Sequence, residues 1–341
     1  MSDGGKVVAI ASRPRRRRTA APEDEALRRR LAELERLLAA RQEAQEHEGL
    51  LVTLARAFQA GTRGLSWRSL ARLQRALYFA WHSEETDDFG ADRRFAETLE
   101  PLLDFLYAVW WRVEATGIEN VPATGPALVV ANHSGVLPYD GLMIQLALRH
   151  EHPAKRVCRM LALDMFALLP VLAPVLAKSG SVRANPENAE RLLRRGELLG
   201  VFPEGVKGVG KYFRERYRLA RFGRGGFVRI ALRTGAPIVP CAVVGAEEIH
   251  PVVGKADWVG RPLGLPYFPL TPTFPWLGPL GVLPLPTKWS IDFGEPIDVS
   301  EHGPEGADDP ILVNRISEEV RTVIQRIVDG RLARRRSVWF G

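Results

Sequence analysis

Three short apolar runs govern what this chain can fold into: PALVVA at 126–131, ELLGVF at 197–202 and APIVPCAVV at 236–244. None alternates apolar with polar residues, so each needs cover on both faces, and segments of helical period lie between them. Further strands are expected at 112–116, 157–161 and 289–293, with helices at 95–107, 141–148, 186–195, 225–233 and 310–332. That alternation predicts an α/β fold with a mixed, largely parallel sheet flanked by helices. Each run ends on a polar cluster: Asn132-His133-Ser134, Pro203-Glu204-Gly205, and Gly245-Ala246-Glu247-Glu248. Sites in such sheets collect beyond the carboxyl ends of the strands, so the three clusters are expected along one edge.

The flanks read differently. Residues 1–22 contain RPRRRR and bury nothing, which predicts a disordered basic tail. A helical extension is expected over 23–108. It includes a charged helix with Leu27, Leu31, Leu34 and Leu38 at 4-3-4 spacing, which permits a homodimer, and a basic amphipathic helix at 66–82. The main domain spans 109–332, and 333–341 forms a basic, aromatic tail with Arg334 to Arg336, Trp339 and Phe340.

Net charge is +7, but the excess sits at the two ends and the middle is about neutral. This suits attachment to an anionic membrane surface better than a nucleic-acid footprint, and no nucleic-acid partner is expected. Two distant cysteines, Cys158 and Cys241, supply neither a disulfide framework nor a metal cluster. With no secretory signal pattern either, the expected location is cytoplasmic, peripheral on the inner face of the cell membrane. The apolar stretches 161–177 and 263–286 contain two and seven prolines respectively, too many interruptions for spanning helices.

His133 precedes Asp140 by seven positions, with Gly135 and Pro138 between them and helical sequence after. A carboxylate on one imidazole nitrogen fixes the tautomer and leaves the other nitrogen to accept a proton from a hydroxyl. The same pair also suits a helix cap beside a strand-end histidine. Arg183, before a helix opened by Asn185-Pro186, suits a bidentate phosphate contact or plain surface exposure. Between 206 and 233 there are nine Lys or Arg and only Glu215, a run that attracts anionic head groups, nucleotide phosphates or an acidic carrier protein. No G-x-S-x-G elbow is present, so Ser134 and Ser181 are poor nucleophiles.

In order, NHSGVLPYD, GSVR, FPEG and APIVPCAVVG resemble the four sequence blocks of the glycerolipid acyltransferases, the group of the bacterial lysophosphatidate and glycerol-3-phosphate acyltransferases. The similarity runs over 112–297, through the closing KWSIDFGEPI. It implies a glycerol-3-phosphate acyltransferase-like fold and acyl transfer to a lipid hydroxyl from a thioester, acyl-CoA or acyl carrier protein, without a metal or other cofactor. His133 is then the general base and Asp140 its orienting partner. Arg183, Glu204, Gly205 and Lys207 correspond to acceptor-phosphate and third-block positions, and Pro240 to the block linked to the acyl donor. Two departures stand out: the family's usual H-x4-D is H-x6-D here, and Val206-Lys207 replaces the Thr or Ser and Arg that often follow Glu-Gly. The expected acceptor is lysophosphatidate. Glycerol-3-phosphate, a neutral lipid alcohol, or a membrane-binding module without turnover are the alternatives.

Overall fold

The computed structural model describes residues 85–134, 137–162, 172–260 and 267–341, with positions 74, 75 and 78. The expectations for 1–22, 23–47 and most of 66–82 and 161–177 lie outside the described residues.

Seven strands form one sheet: β1 (Glu114–Thr116), β2 (Ala127–Ala131), β3 (Cys158–Ala162), β4 (Val182–Arg183), β5 (Leu198–Val201), β6 (Ile238–Val244) and β9 (Ser290–Phe293), in the order β1-β9-β6-β2-β5-β3-β4. Only the β6–β9 pairing is antiparallel, so the sheet is mixed and mostly parallel, as the unbroken apolar runs predict. Helices α1 (Arg93–Phe105), α2 (Tyr139–His150), α3 (Leu172–Lys178), α4 (Pro186–Arg194), α5 (Val206–Val209), α6 (Gly226–Thr234), α7 (Asp257–Gly260) and α8 (Pro310–Arg334) accompany it. β7 (Gly254–Lys255) and β8 (Pro269–Leu270) form a separate antiparallel ribbon.

Strand pleating divides the core in two. Leu128, Val130, Ile238, Ala242 and Val244 pack on one face against α4, α6 and α8, with Val313, Ile316, Val320, Ile324 and Val328 as the buried stripe of α8. Ala127, Val129, Ala131, Val239, Cys241 and Val243 pack on the other against Met143, Ile144, Ala147 and Leu148 of α2 and the stacked pair Trp111–Trp289. Expected and observed strands agree to within two residues at each end. β4 and the β7–β8 ribbon were not expected, because strands of two residues leave no periodicity to read.

The C-terminal segment departs from expectation. Instead of a free basic tail, 335–341 folds back on the domain: the Arg335 side chain is only 9% exposed, with Nη1 2.7 Å from Glu248 Oε2 and 3.1 Å from the Tyr217 hydroxyl, and Nη2 donating to the Lys288 and Val338 carbonyls. The Lys288 amide donates to Val338, and Arg112 to the carbonyl of Trp339. Arg335 thus neutralises a buried acid at the end of β6 and is not available to a lipid surface.

Among the described residues no helix is long and apolar enough to cross a membrane. Beyond the ribbon, the proline-rich stretch forms a 3-10 turn over Gly278–Val282 and leaves Trp276 74% and Leu280 68% exposed, with Trp258 of α7 81% exposed.

Candidate active site

β6, β2 and β5 are adjacent and parallel, so the three polar clusters do meet at one edge. Just past β2, the Asn132 side chain continues the ladder to β6, accepting from the Val243 amide at 2.7 Å and donating to its carbonyl at 2.9 Å. His133 is thereby held at the strand end, its ring stacked on Phe202, the residue just past β5, at 4.2 Å and 13°.

His133 and Asp140 form a dyad. Both are buried, and Nδ1 lies 2.7 Å from Asp140 Oδ2. That oxygen also accepts from the Ser134 amide at 2.9 Å, while Oδ1 accepts from the Gly141 amide at 2.8 Å in the first turn of α2. An ionised carboxylate only accepts, so the shared proton is assigned to Nδ1, leaving Nε2 with its lone pair free. The loop with two additional residues therefore still delivers the acid. The capping alternative does not hold: the helix starts at Tyr139 behind Pro138 without a side-chain cap, and Asp140 lies in its first turn with its carboxylate turned to the imidazole.

Glu204, just past β5, is buried and fully engaged. Oε1 accepts from the His133 amide at 3.1 Å, Oε2 accepts from the Ala220 amide at 2.6 Å, and Lys211 Nζ lies 3.0 Å from Oε2. Lys211 also reaches Glu247 Oε1 at 3.3 Å, and Glu247 Oε2 accepts from the Tyr217 amide at 3.0 Å. Burial pushes the Glu247 carboxyl up to about 7, against the pull of Lys211 and the Tyr217 amide. Gly208, in α5, lies so close that a Cβ there would sit 2.9 Å from His133 Cβ and 2.8 Å from Glu204 Cβ. A side chain at 208 would push the histidine off its strand end.

Beside His133 lies a cavity of about 70 Å³, lined mainly by apolar groups of α2, β3 and β5, such as Leu142, Met160 and Phe202, together with Ser181 and Gly205. Of the residues singled out in the sequence, His133 and Gly205 line it and Asp140 supports it from behind. Arg183 does not line it: on β4 its side chain is exposed while its neighbours Ser181 and Ala184 border the space. Glu204 is enclosed beneath it instead of facing a ligand. Lys207 is exposed on the far side of α5. Pro240 is buried mid-strand in β6, paired with Val130, and does not border the cavity.

Sequence reasoning placed Lys211 and Arg216 in one basic run open to anionic ligands, whereas the structure pairs them with Glu204, Glu247 and Glu248. The available signal was the set of acids at the ends of β5 and β6, on either side of β2, which cannot be buried together without cations. Burial pushes the Cys158 thiol up to about 12 and Cys241 well above its usual range, so neither is an activated nucleophile.

Residues 112–244, which carry the buried His–Asp dyad and the strands around it, match the family model described as acyltransferase, and this sets the class of the protein. Uncharacterized proteins of Mycobacterium tuberculosis and Mycobacterium leprae are each 52% identical over 256 residues, 75% of this chain and 72% and 70% of theirs. A human protein described as a DGAT1/2-independent enzyme synthesizing storage lipids is 25% identical over 236 residues, 68% of this chain and 66% of its own. The crystal structure of the 1-acyl-sn-glycerophosphate (LPA) acyltransferase PlsC from Thermotoga maritima aligns with a TM-score of 0.46 at 20% identity, over 84% of this chain and 97% of that one. The chain belongs to the glycerolipid acyltransferase family.

Proposed function

We propose that the protein moves a fatty acyl group from a thioester to the free hydroxyl of lysophosphatidate, with His133 as general base. The observation that carries this reading is the buried 2.7 Å contact between His133 Nδ1 and Asp140, which frees Nε2 beside an apolar cavity. Nε2 takes the hydroxyl proton as the acceptor oxygen attacks the thioester carbonyl. The tetrahedral intermediate then expels the thiolate, which recovers that proton from the imidazolium. A thioester is already activated, so positioning and proton transfer suffice and no covalent enzyme intermediate is needed.

A peripheral position on the inner membrane face suits these substrates. The exposed Trp258, Trp276 and Leu280 support it, since aromatic and aliphatic side chains favour the lipid interface. A second reading, a neutral lipid alcohol as acceptor, draws on one observation: among the described residues that line the cavity there is no Lys or Arg to meet a phosphate.

Thiol release from a long-chain acyl-CoA on mixed vesicles tests the reading. Release that depends on lysophosphatidate and disappears in His133→Ala supports it. Release that instead follows diacylglycerol gives the site to the neutral acceptor. A wild type silent with lysophosphatidate, glycerol-3-phosphate and diacylglycerol, from acyl-CoA and from acyl carrier protein thioester alike, refutes both.

A further inference from the structure

His133 sits two residues beyond the last regular pairing of β2, where the sheet no longer holds it. The β2–β5 register ends at Val130 and Val201, and the β2–β6 register at Ala131 and Cys241. Side chains take over from there. Asn132 grips Val243 on the β6 side, and Glu204 accepts the His133 amide on the β5 side.

Glu204 is held in turn by Lys211, whose Nζ lies 3.0 Å from Glu204 Oε2 and 3.3 Å from Glu247 Oε1. The lysine side chain is 9% exposed and both carboxylates are less so. One cation thus spans the open end of β2, between an acid that follows β5 and an acid that follows β6. The segment that delivers it is clamped on both sides. The Tyr267 hydroxyl donates to the Val209 carbonyl at 2.9 Å, and the Phe213 amide donates to the Val252 carbonyl at 2.9 Å. Between Glu204 and Lys211 the chain turns through Gly208, whose missing side chain leaves room for both Glu204 and His133. Lys211 does not border the cavity beside His133.

We infer that Lys211 is a positioning residue of the reaction: it holds the Glu204 carboxylate against the His133 amide, and so keeps the base aligned with the acceptor hydroxyl. The inference rests on the acyl-transfer reading above and adds a residue to it. A buried carboxylate that loses its cation turns away or draws in water, and the His133 amide then loses its acceptor. Displacement of about 1 Å at a reacting group costs on the order of 10²-fold in rate. Lysine suits the position because an ammonium offers donors to two separate carboxylates, whereas a guanidinium fork favours bidentate capture of one.

Thiol release on lysophosphatidate vesicles, with a melting curve for each protein, tests this. Lys211→Met removes the charge and keeps the apolar stem, and it should lower kcat about 10- to 100-fold. KM for donor and acceptor should stay within about threefold of wild type. Lys211→Arg should recover part of the lost kcat. In a Glu204→Gln background Lys211→Met should cost no further kcat, because the lysine acts through that acid. This charge-neutral pair carries the test if Lys211→Met alone fails to fold, since Glu247, already at about 7, takes up a proton there.

A second readout needs no turnover. In protein labelled with 15N-histidine, the His133 amide resonance is the one missing from His133→Ala. It should shift and exchange faster with solvent in the lysine variants, while those of His152 and His302 stay in place. A folded Lys211→Met variant with wild-type kcat overturns the inference. So does a defect confined to KM, a loss that multiplies with that of Glu204→Gln, or an unmoved His133 amide. Wild type that releases no thiol with any acceptor, while the amide responds to Lys211→Met, would keep the lysine's hold on His133 and sink the acyl-transfer reading.

Discussion

Replacing Asp140 by Asn changes almost no volume but removes a charge and one acceptor from a closed site. Three N–H groups converge on the carboxylate: His133 Nδ1 and the Ser134 amide on Oδ2, and the Gly141 amide on Oδ1. A carboxamide has one oxygen to offer. If it faces Gly141, the NH2 points at His133 and the imidazole must accept at Nδ1, which places the proton on Nε2, where the acceptor hydroxyl needs a lone pair. If it faces His133, the Gly141 amide confronts a donor. Either orientation leaves a buried backbone N–H unsatisfied, at about 1–3 kcal/mol in stability. Loss of the base is worth about 10²–10⁴ in rate, roughly 3–5 kcal/mol in the barrier. Thiol release on lysophosphatidate vesicles, with a melting curve for each protein, measures both. Because the two residues act as a unit, His133→Ala should bring activity to about the same floor and the double variant should fall little further. Activity of a folded Asp140→Asn variant within threefold of wild type, or losses that add in the double variant, would refute the dyad.

Glu247 supplies a pH signature. Its carboxyl sits at about 7 in the folded chain against an ordinary 4.5, so it stabilises the fold while protonated and gives that up as pH rises between these values. Urea titrations should show wild type losing up to about 3 kcal/mol relative to Glu247→Gln between pH 4.5 and 7.5. Parallel curves would mean that Glu247 does not titrate there. Arg335→Met should cost about 3–5 kcal/mol, since Glu248 then loses its closest cation while remaining buried. In calorimetry this corresponds to a Tm drop of roughly 6–20 °C. Unchanged melting, with weakened vesicle binding instead, would restore the reading of this arginine as a membrane contact.

The sheet was legible because β2, β5 and β6 are covered on both faces, and unbroken apolar runs are the signature of that burial. The dyad was legible as a pair of residue types at a strand end and a helix start. Its geometry was not, since H-x6-D alone does not say where a loop returns. Lys211 and Arg335 were misread for one reason: each lies in an arginine-rich segment, and solvated and buried cations look alike until the acids across the fold are in place. Glu204 was read as facing a ligand, because a Glu between Pro and Gly at a strand end carries no mark of being claimed from three directions.

The loop between His133 and Asp140 shows what selection on such a site has to hold constant. Lengthening four intervening residues to six adds only about 0.4 kcal/mol of closure entropy, little beside a buried charge-assisted hydrogen bond. The acid is fixed by the first turn of its helix and the histidine by the clamp of Asn132 on β6, so neither depends on the tether joining them. Distance in sequence is then free to drift while distance in space is not. A search for relatives that demands fixed spacing would pass over chains like this one, whereas a pattern requiring a strand-end histidine and an acid in the next helix's opening turn would gather them.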